Sequence, residues 1–282
     1  MGQTLSEPVT DKQSSTCQDS RFLVGSSCMQ GWRVSMDDSH THILSLPDDP
    51  GTAFFAVYDG HGGSNIAEYA GKHLHKFITA RPEYHLGNIE EAMKKGFLDL
   101  DQAMLEESMQ EKVAGSTAVV VLIKDNMLYC ANVGDSRAVA SVRGAVEPLS
   151  YDHKPNNKEE LERITAGGGW VQLNRVNGNL ALSRALGDYI FKKNNRMSPR
   201  DQIVTGGDII LPRATPQRLG AGGRVRGADA ALPRPQLPDG RPGLRQHDRA
   251  HRVHSALPRA RYVVFVQVSR HSTPEQVLDL GV

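Results

Sequence analysis

The sequence predicts one large α/β or α+β domain, and two patterns carry that prediction. Short apolar runs bounded by turn residues mark buried strands, and two stretches with apolar residues every three or four positions mark amphipathic helices. Sustained heptads and internal repeats are absent, which excludes coiled-coil and solenoid architectures. The 282 residues can bury a single large core or two small ones. A hydrophobic share of 39% with 23% charged residues is globular, and a net charge of +1 points to no polyanionic partner, so nucleic acid is not expected. No apolar stretch reaches the roughly 18 residues needed to cross a bilayer. Cys17, Cys28 and Cys130 are widely spaced and odd in number, which leaves neither a disulfide framework nor a Cys-x-x-Cys zinc site. Such thiols fit a cytoplasmic or nuclear protein.

Residues 1–20 are polar without periodicity and read as a flexible arm. Their first six, Met1-Gly2-Gln3-Thr4-Leu5-Ser6, fit the N-myristoylation pattern at Gly2, and one such chain gives only weak, reversible membrane association. Arg21–Cys28 suggests a first strand running into Met29–Asp38. Alternation puts Arg33, Ser35 and Asp37 on one face and Asp38 on the other. That pattern suits a surface ion pair of small value, or an anion-binding guanidinium beside a cation-binding carboxylate. His40–Leu46 is another strand, and Pro47–Gly51 a turn. Phe54 to Gly63, Phe-Phe-Ala-Val-Tyr-Asp-Gly-His-Gly-Gly, then reads as a buried strand that delivers Asp59 and His61 to an edge. A carboxylate, a closely approachable glycine carbonyl at Gly60 and an imidazole can hold a hard cation or move a proton. An ordinary Asp-Gly turn explains the same residues.

Ile66, Tyr69, Ala70, His73, Leu74, Phe77 and Ile78 predict a helix, and Ile89–Gln110 a second. Ser116–Ile123 and Met127–Val133 predict a hairpin through Lys124-Asp125-Asn126. Gly134-Asp135-Ser136-Arg137 ends it as Asp59-Gly60 ends the earlier strand, so Asp59 and Asp135 could meet at one rim. Lys158–Thr165 predicts a short helix capped near Asn157 and closed by Gly167-Gly168-Gly169. Trp170–Arg175 and Leu180–Leu186 predict a hairpin turning at Asn177-Gly178. No Gly-rich nucleotide loop follows any strand.

Six blocks in register resemble the metal-dependent serine/threonine protein phosphatases of type 2C, the PPM family. They are Met29–Asp38, Phe54–Gly63, Gly115-Ser116-Thr117, Gly134–Arg137, Asp152-His153-Lys154-Pro155, and Arg175–Gly178 through Ser183–Asp188. The resemblance covers about residues 1–205. It implies an α+β fold, a four-layer α-β-β-α sandwich of two antiparallel sheets flanked by helices, with a PPM-type phosphatase domain over 21–205. It further implies two Mg²⁺ or Mn²⁺ ions that activate a water toward phosphoserine and phosphothreonine proteins. By the same resemblance Arg33 binds the phosphate and Asp59 bridges the ions. Gly60 gives a carbonyl, and Asp37 and Asp38 support the shell. His61 is the general acid, Asp135 serves a weaker third ion, and Arg175 and Thr117 lie near the cleft. Asp37 stands where the family commonly has glutamate, one methylene longer.

Beyond Thr205 the resemblance stops. Pro212–Arg261 is rich in Arg, Ala, Pro and Gly, its only acidic residues are Asp229, Asp239 and Asp248, and no lysine follows Lys193. The expectation over 206–282 is an aberrant tail, largely disordered, with one strand at Arg261–Val268. An exon read out of frame produces such a change of usage. Two further metal aspartates that the family places here are missing, which predicts a chain nearly inactive and poorly stable; a monomer is expected. A catalytically silent module that binds phosphoproteins through Arg33 is the competing expectation.

Overall fold

The computed structural model describes residues 4–106, 114–142, 145–206, 211–214, 263–267 and 277–281. In chain order, β1 (Thr4–Gln18), β2 (Leu23–Arg33), β3 (Ser39–Ile43), β4 (Ala53–Tyr58) and the two-residue β5 (Gly60–His61) come first. The helices α1 (Asn65–Thr79), α2 (Pro82–His85) and α3 (Ile89–Glu106) follow. After them come β6 (Gly115–Ser116), β7 (Ala118–Lys124), β8 (Met127–Val133), β9 (Arg137–Val142) and β10 (Ala145–Pro148). The chain continues through α4 (Lys158–Ala166), β11 (Val171–Gln172), β12 (Arg175–Val176), β13 (Leu186–Gly187), β14 (Leu211–Ala214), β15 (Val263–Gln267) and β16 (Val277–Gly281).

Two antiparallel sheets dominate. One has the order β1-β2-β16-β15-β9-β10 and the other β14-β8-β7-β4-β3. Alternation along the central strands decides what each face meets. Ala53, Phe55 and Val57 of β4, with Val119, Val121 and Ile123 of β7, join Phe22, Val24 and Ala138 between the sheets. Phe54, Ala56 and Tyr58, with Val120 and Leu122, face outward and are covered by Ile66, Leu74 and Ile78 of α1 and Met93, Phe97 and Leu100 of α3. Both faces of β4 are therefore dry, which is why its sequence is continuously apolar rather than alternating. Each large side chain so buried contributes about 1.5–3 kcal/mol. Helix α4 sits in a third, smaller core, where Ile164 meets Val176, Ala185, Phe191 and Val204.

Three expectations change. Thr4–Gln18 is not a flexible arm but a strand paired with β2, from Thr4 opposite Arg33 to Gln18 opposite Leu23. Its polar sequence hid this because an exposed edge ladder is made by backbone groups, which any residue supplies. Hydroxyl pairs add to it, with Ser14 2.9 Å from Ser27 and Ser15 2.8 Å from Ser26. Second, the hairpin β11–β12 turns at Leu173–Asn174, both at positive φ (51° and 58°). Asn177-Gly178 forms a second turn instead, because Asn177 exchanges hydrogen bonds with Trp170 through its backbone N–H and its Oδ1. Leu186 leaves this hairpin and pairs with Ser116. Third, the region after 205 contributes ladder. β14 pairs with β8, while β15 and β16 fill the first sheet between β9 and β2. The strand expected at Arg261–Val268 is thus Val263–Gln267. Gly2 and residues 215–262, including the stretch expected to be disordered, lie outside the described residues. Among the described residues no helix is long and apolar enough to cross a membrane.

Candidate active site

The site is built where β4 and β8 run out of apolar residues. All six residues of β4 are buried, so Asp59 is carried to the strand's end on a rigid support. Thr117 then fixes it from both sides. Asp59 N–H donates to Thr117 Oγ1 (3.0 Å), and Thr117 N–H donates to the Asp59 carbonyl (2.9 Å). The same hydroxyl lies 2.6 Å from Ser136 Oγ, which couples Asp59 to the turn after β8. Gly60 has no room for a side chain, since a Cβ there would lie 2.0 Å from the Asp37 carbonyl oxygen. The backbones at 37 and 60 are in direct contact, and that brings the Asp37 segment to Asp59.

The turn after β8 is zipped to the loop at 152–154 residue by residue. Arg137 holds Asp152 with two hydrogen bonds of 3.0 and 2.9 Å. Gly134 and His153 exchange bonds, His153 N–H to the Gly134 carbonyl (2.9 Å) and Gly134 N–H to His153 Nδ1 (3.2 Å). Lys154 closes an ion pair on Asp135. Asp37 and Asp135 are both buried, and Asp37 accepts a hydrogen bond from Ser35 Oγ (2.8 Å).

These carboxylates act on one another. Burial, then the charge of Asp135 and more weakly that of Asp37, push the Asp59 carboxyl up to about 7, against the opposing pull of His61 and Arg33. A buried carboxylate repelled by two others is the electrostatic setting a divalent cation relieves. The ligand count does not match the charge. Among the described residues no three His, Cys, Asp or Glu side chains converge as a cation site, whereas Mg²⁺ takes six ligands. The described residues thus supply the charge for an ion and only part of its shell.

His61 is held by a carboxylate from a distant segment of the chain. Its Nε2 lies 2.9 Å from Oδ2 of Asp188, which is 1% exposed. Burial works against the charged imidazolium, but the Asp188 bond and the charges of Asp188, Asp59 and Asp135 outweigh it and raise the His61 pKa above its ordinary value. The small sheet β13-β6-β5 makes this contact by placing His61 opposite Gly115 and Gly115 opposite Gly187.

The other sequence-derived candidates fall at different distances from this centre. Arg33 ends β2, is exposed, and reaches Asp59 through its charge. Asp38 is half-buried between Asp37 and β3. Arg175 is exposed, and its guanidinium donates to the Asn179 carbonyl (2.6 Å) across a turn of its own segment; no described contact joins it to Asp59. Two neighbours had no role assigned from sequence, Asp188 as the partner of His61 and Lys154 as the partner of Asp135. The signal for Asp188 was the Leu186-Gly187-Asp188 ending, which repeats Val133-Gly134-Asp135.

A family model described as "Protein phosphatase 2C" matches residues 22–214. The chain belongs to the protein phosphatase 2C family. A probable protein phosphatase 2C of Caenorhabditis elegans is 60% identical over 218 residues, covering 77% of this chain and 61% of that protein. Protein phosphatase 2C homolog 2 of Schizosaccharomyces pombe is 49% identical, covering 77% and 60%. Among solved structures, a phosphatase from Toxoplasma gondii superposes with a TM-score of 0.64 at 27% identity, over 72% of this chain and 75% of that one. The α+β PPM-type fold of the protein phosphatase 2C family accounts for the layers described above. This chain spans about three-fifths of the length of the two curated relatives.

Proposed function

We propose that this protein phosphatase 2C chain is a phosphoserine/phosphothreonine protein phosphatase of low turnover. The observation that carries the proposal is the His61–Asp188 pair set beside the mutually repelling carboxylates of Asp59, Asp135 and Asp37. Arg33 binds the phosphate of a protein substrate, its planar fork matching paired oxygens. His61, protonated, donates to the serine or threonine oxygen as it leaves. Asp59, Asp37 and the Gly60 carbonyl would hold Mg²⁺ or Mn²⁺, two ions by family, with a weaker third at Asp135 when Lys154 withdraws. Bound there, the ions supply charge neutralisation and a water of lowered pKa.

The short ligand set among the described residues is the reason for low turnover, and it equally supports a silent phosphoprotein-binding module. Hydrolysis of a phosphothreonine peptide, titrated with Mn²⁺ and followed beside the C. elegans relative, separates the two. Slow release of phosphate that tracks Mn²⁺ supports the enzyme, and peptide binding without release supports the module. Turnover equal to the relative's would refute the incomplete shell. A monomer in the cytoplasm, the nucleus or both is expected, to which myristoylation of Gly2 would add weak membrane association; mass spectrometry of the cellular protein tests the lipid.

A further inference from the structure

We propose that Asp188 is a positioning residue for His61, holding the imidazole by Nε2–H so that Nδ1 is the nitrogen presented to the leaving oxygen. The proposal rests on the phosphatase reading of the same centre and deepens it by giving Asp188 a part of its own. Asp188 is buried and its Oδ2 lies 2.9 Å from Nε2. Its backbone is in the left-handed region, φ 51° and ψ 39°, which few residues besides glycine, asparagine and aspartate adopt.

The surrounding contacts hold that conformation. Asp188 N–H donates to the Ala114 carbonyl (2.9 Å), and its own carbonyl accepts from Phe191 N–H (2.9 Å). Just before it, Gly187 N–H donates to the buried Asp101 Oδ1 (2.8 Å). Just after it, Lys192 Nζ donates to Asp101 Oδ2 (2.6 Å) and Tyr189 Oη to the Asp101 carbonyl (2.8 Å). Gly115 completes the arrangement. A Cβ at 115 would stand 2.4 Å from Asp188 Oδ2 and 2.7 Å from His61 Nε2, so the absence of a side chain leaves the pair its space.

The chemistry gives this tautomer a purpose. As the bond from phosphorus to the seryl or threonyl oxygen breaks, its electron pair stays on that oxygen, which takes the proton from Nδ1. The oxygen of the incoming water forms the new bond to phosphorus, and its two protons leave with the product phosphate or pass to solvent. The imidazole returns to neutral with its remaining proton on Nε2, donated to Asp188. If Asp188 only stabilised the fold, its loss would slow every substrate alike and would leave the ring's proton preference unchanged.

Two variants test this in the full chain with Mg²⁺. Asp188→Asn keeps a side chain that tolerates the left-handed backbone, and Gly115→Ala separates the pair without changing either partner. Long-range ¹H–¹⁵N spectra of the ring, assigned with His61→Asn, should show neutral His61 protonated on Nε2 in the parent and mixed or protonated on Nδ1 in both variants. Hydrolysis of a phosphoserine peptide should fall about 100-fold in kcat, within the range for losing general-acid assistance. Hydrolysis of p-nitrophenyl phosphate, whose leaving group needs no proton, should change little. An unchanged tautomer in both variants overturns the proposal, as does an equal loss with both substrates in variants whose far-UV spectra match the parent. A tautomer that depends on Asp188 in a chain that releases no phosphate supports the positioning role and refutes the phosphatase reading instead.

Discussion

Glu160 offers the sharpest test of how the segment that carries Asp188 is held. Its carboxylate is 3% exposed and takes hydrogen bonds from Arg184 Nε at 2.9 and 3.0 Å and from Arg163 at 2.8 Å. Arg163 also donates to the carbonyls of Ser183, Gln202 and Ile203, so one cluster ties α4 to the strand leading into the site. Burial raises the Glu160 pKa, but the Arg184 bond and the two guanidinium charges outweigh it and bring the carboxyl from 4.5 down to about 2. At about 1.4 kcal/mol per pH unit, that fall amounts to about 3 kcal/mol of stability. The depressed pKa means this contribution is full above pH 4.5 and is lost as pH falls toward 2. Glu160→Gln should therefore lower stability at pH 7 by about 3 kcal/mol, consistent with leaving buried cations uncompensated. The gap between parent and variant in urea unfolding should narrow below pH 4.5. Amide exchange should accelerate over 183–205 and stay slow in β4 and β7. A gap that keeps its size down to pH 3 would refute the linkage, and unchanged exchange over 183–205 would refute the tether.

Three further outcomes follow from the geometry. Thr117→Val keeps the side-chain shape but removes the acceptor of Asp59 N–H and the partner of Ser136 Oγ, so it should cost about 1–3 kcal/mol in urea unfolding and weaken Mn²⁺ binding measured by calorimetry. Gly60→Ala forces a methyl against the Asp37 carbonyl and should cost about 1–3 kcal/mol or more in a thermal melt, whereas Gly25→Ala, with nothing within 4 Å of its Cβ, should cost far less. Burial pushes the Cys130 thiol up to about 12, so iodoacetamide should label half-exposed Cys17 and leave Cys130 untouched until the protein unfolds, as peptide mapping would show.

The central strands were legible because burial on both faces leaves an unbroken apolar run, as at Phe54–Tyr58, and α1 was legible because one face alone is dry. The edge strand β1 was not, since its ladder depends on an open neighbour in β2 rather than on its own side chains. At the site, Asp59, His61 and Asp135 announced themselves by standing where apolar runs stop. Asp188 stood at such an ending too, yet nothing local tells an ordinary Gly-Asp turn from one whose carboxylate reaches across to a histidine 127 residues earlier. That information lies in the pairing of β13 with β6 and β6 with β5, which only the folded chain supplies. Three glycines make the same point from the other direction. Gly60, Gly115 and Gly134 are each a place where a Cβ would strike a site residue, Asp37, Asp188 or Thr117. The site is thus specified as much by the side chains left out as by the carboxylates present. A substitution that adds one carbon at these positions should disturb it more than the loss of exposed Arg175, whose one described side-chain bond stays within its own segment.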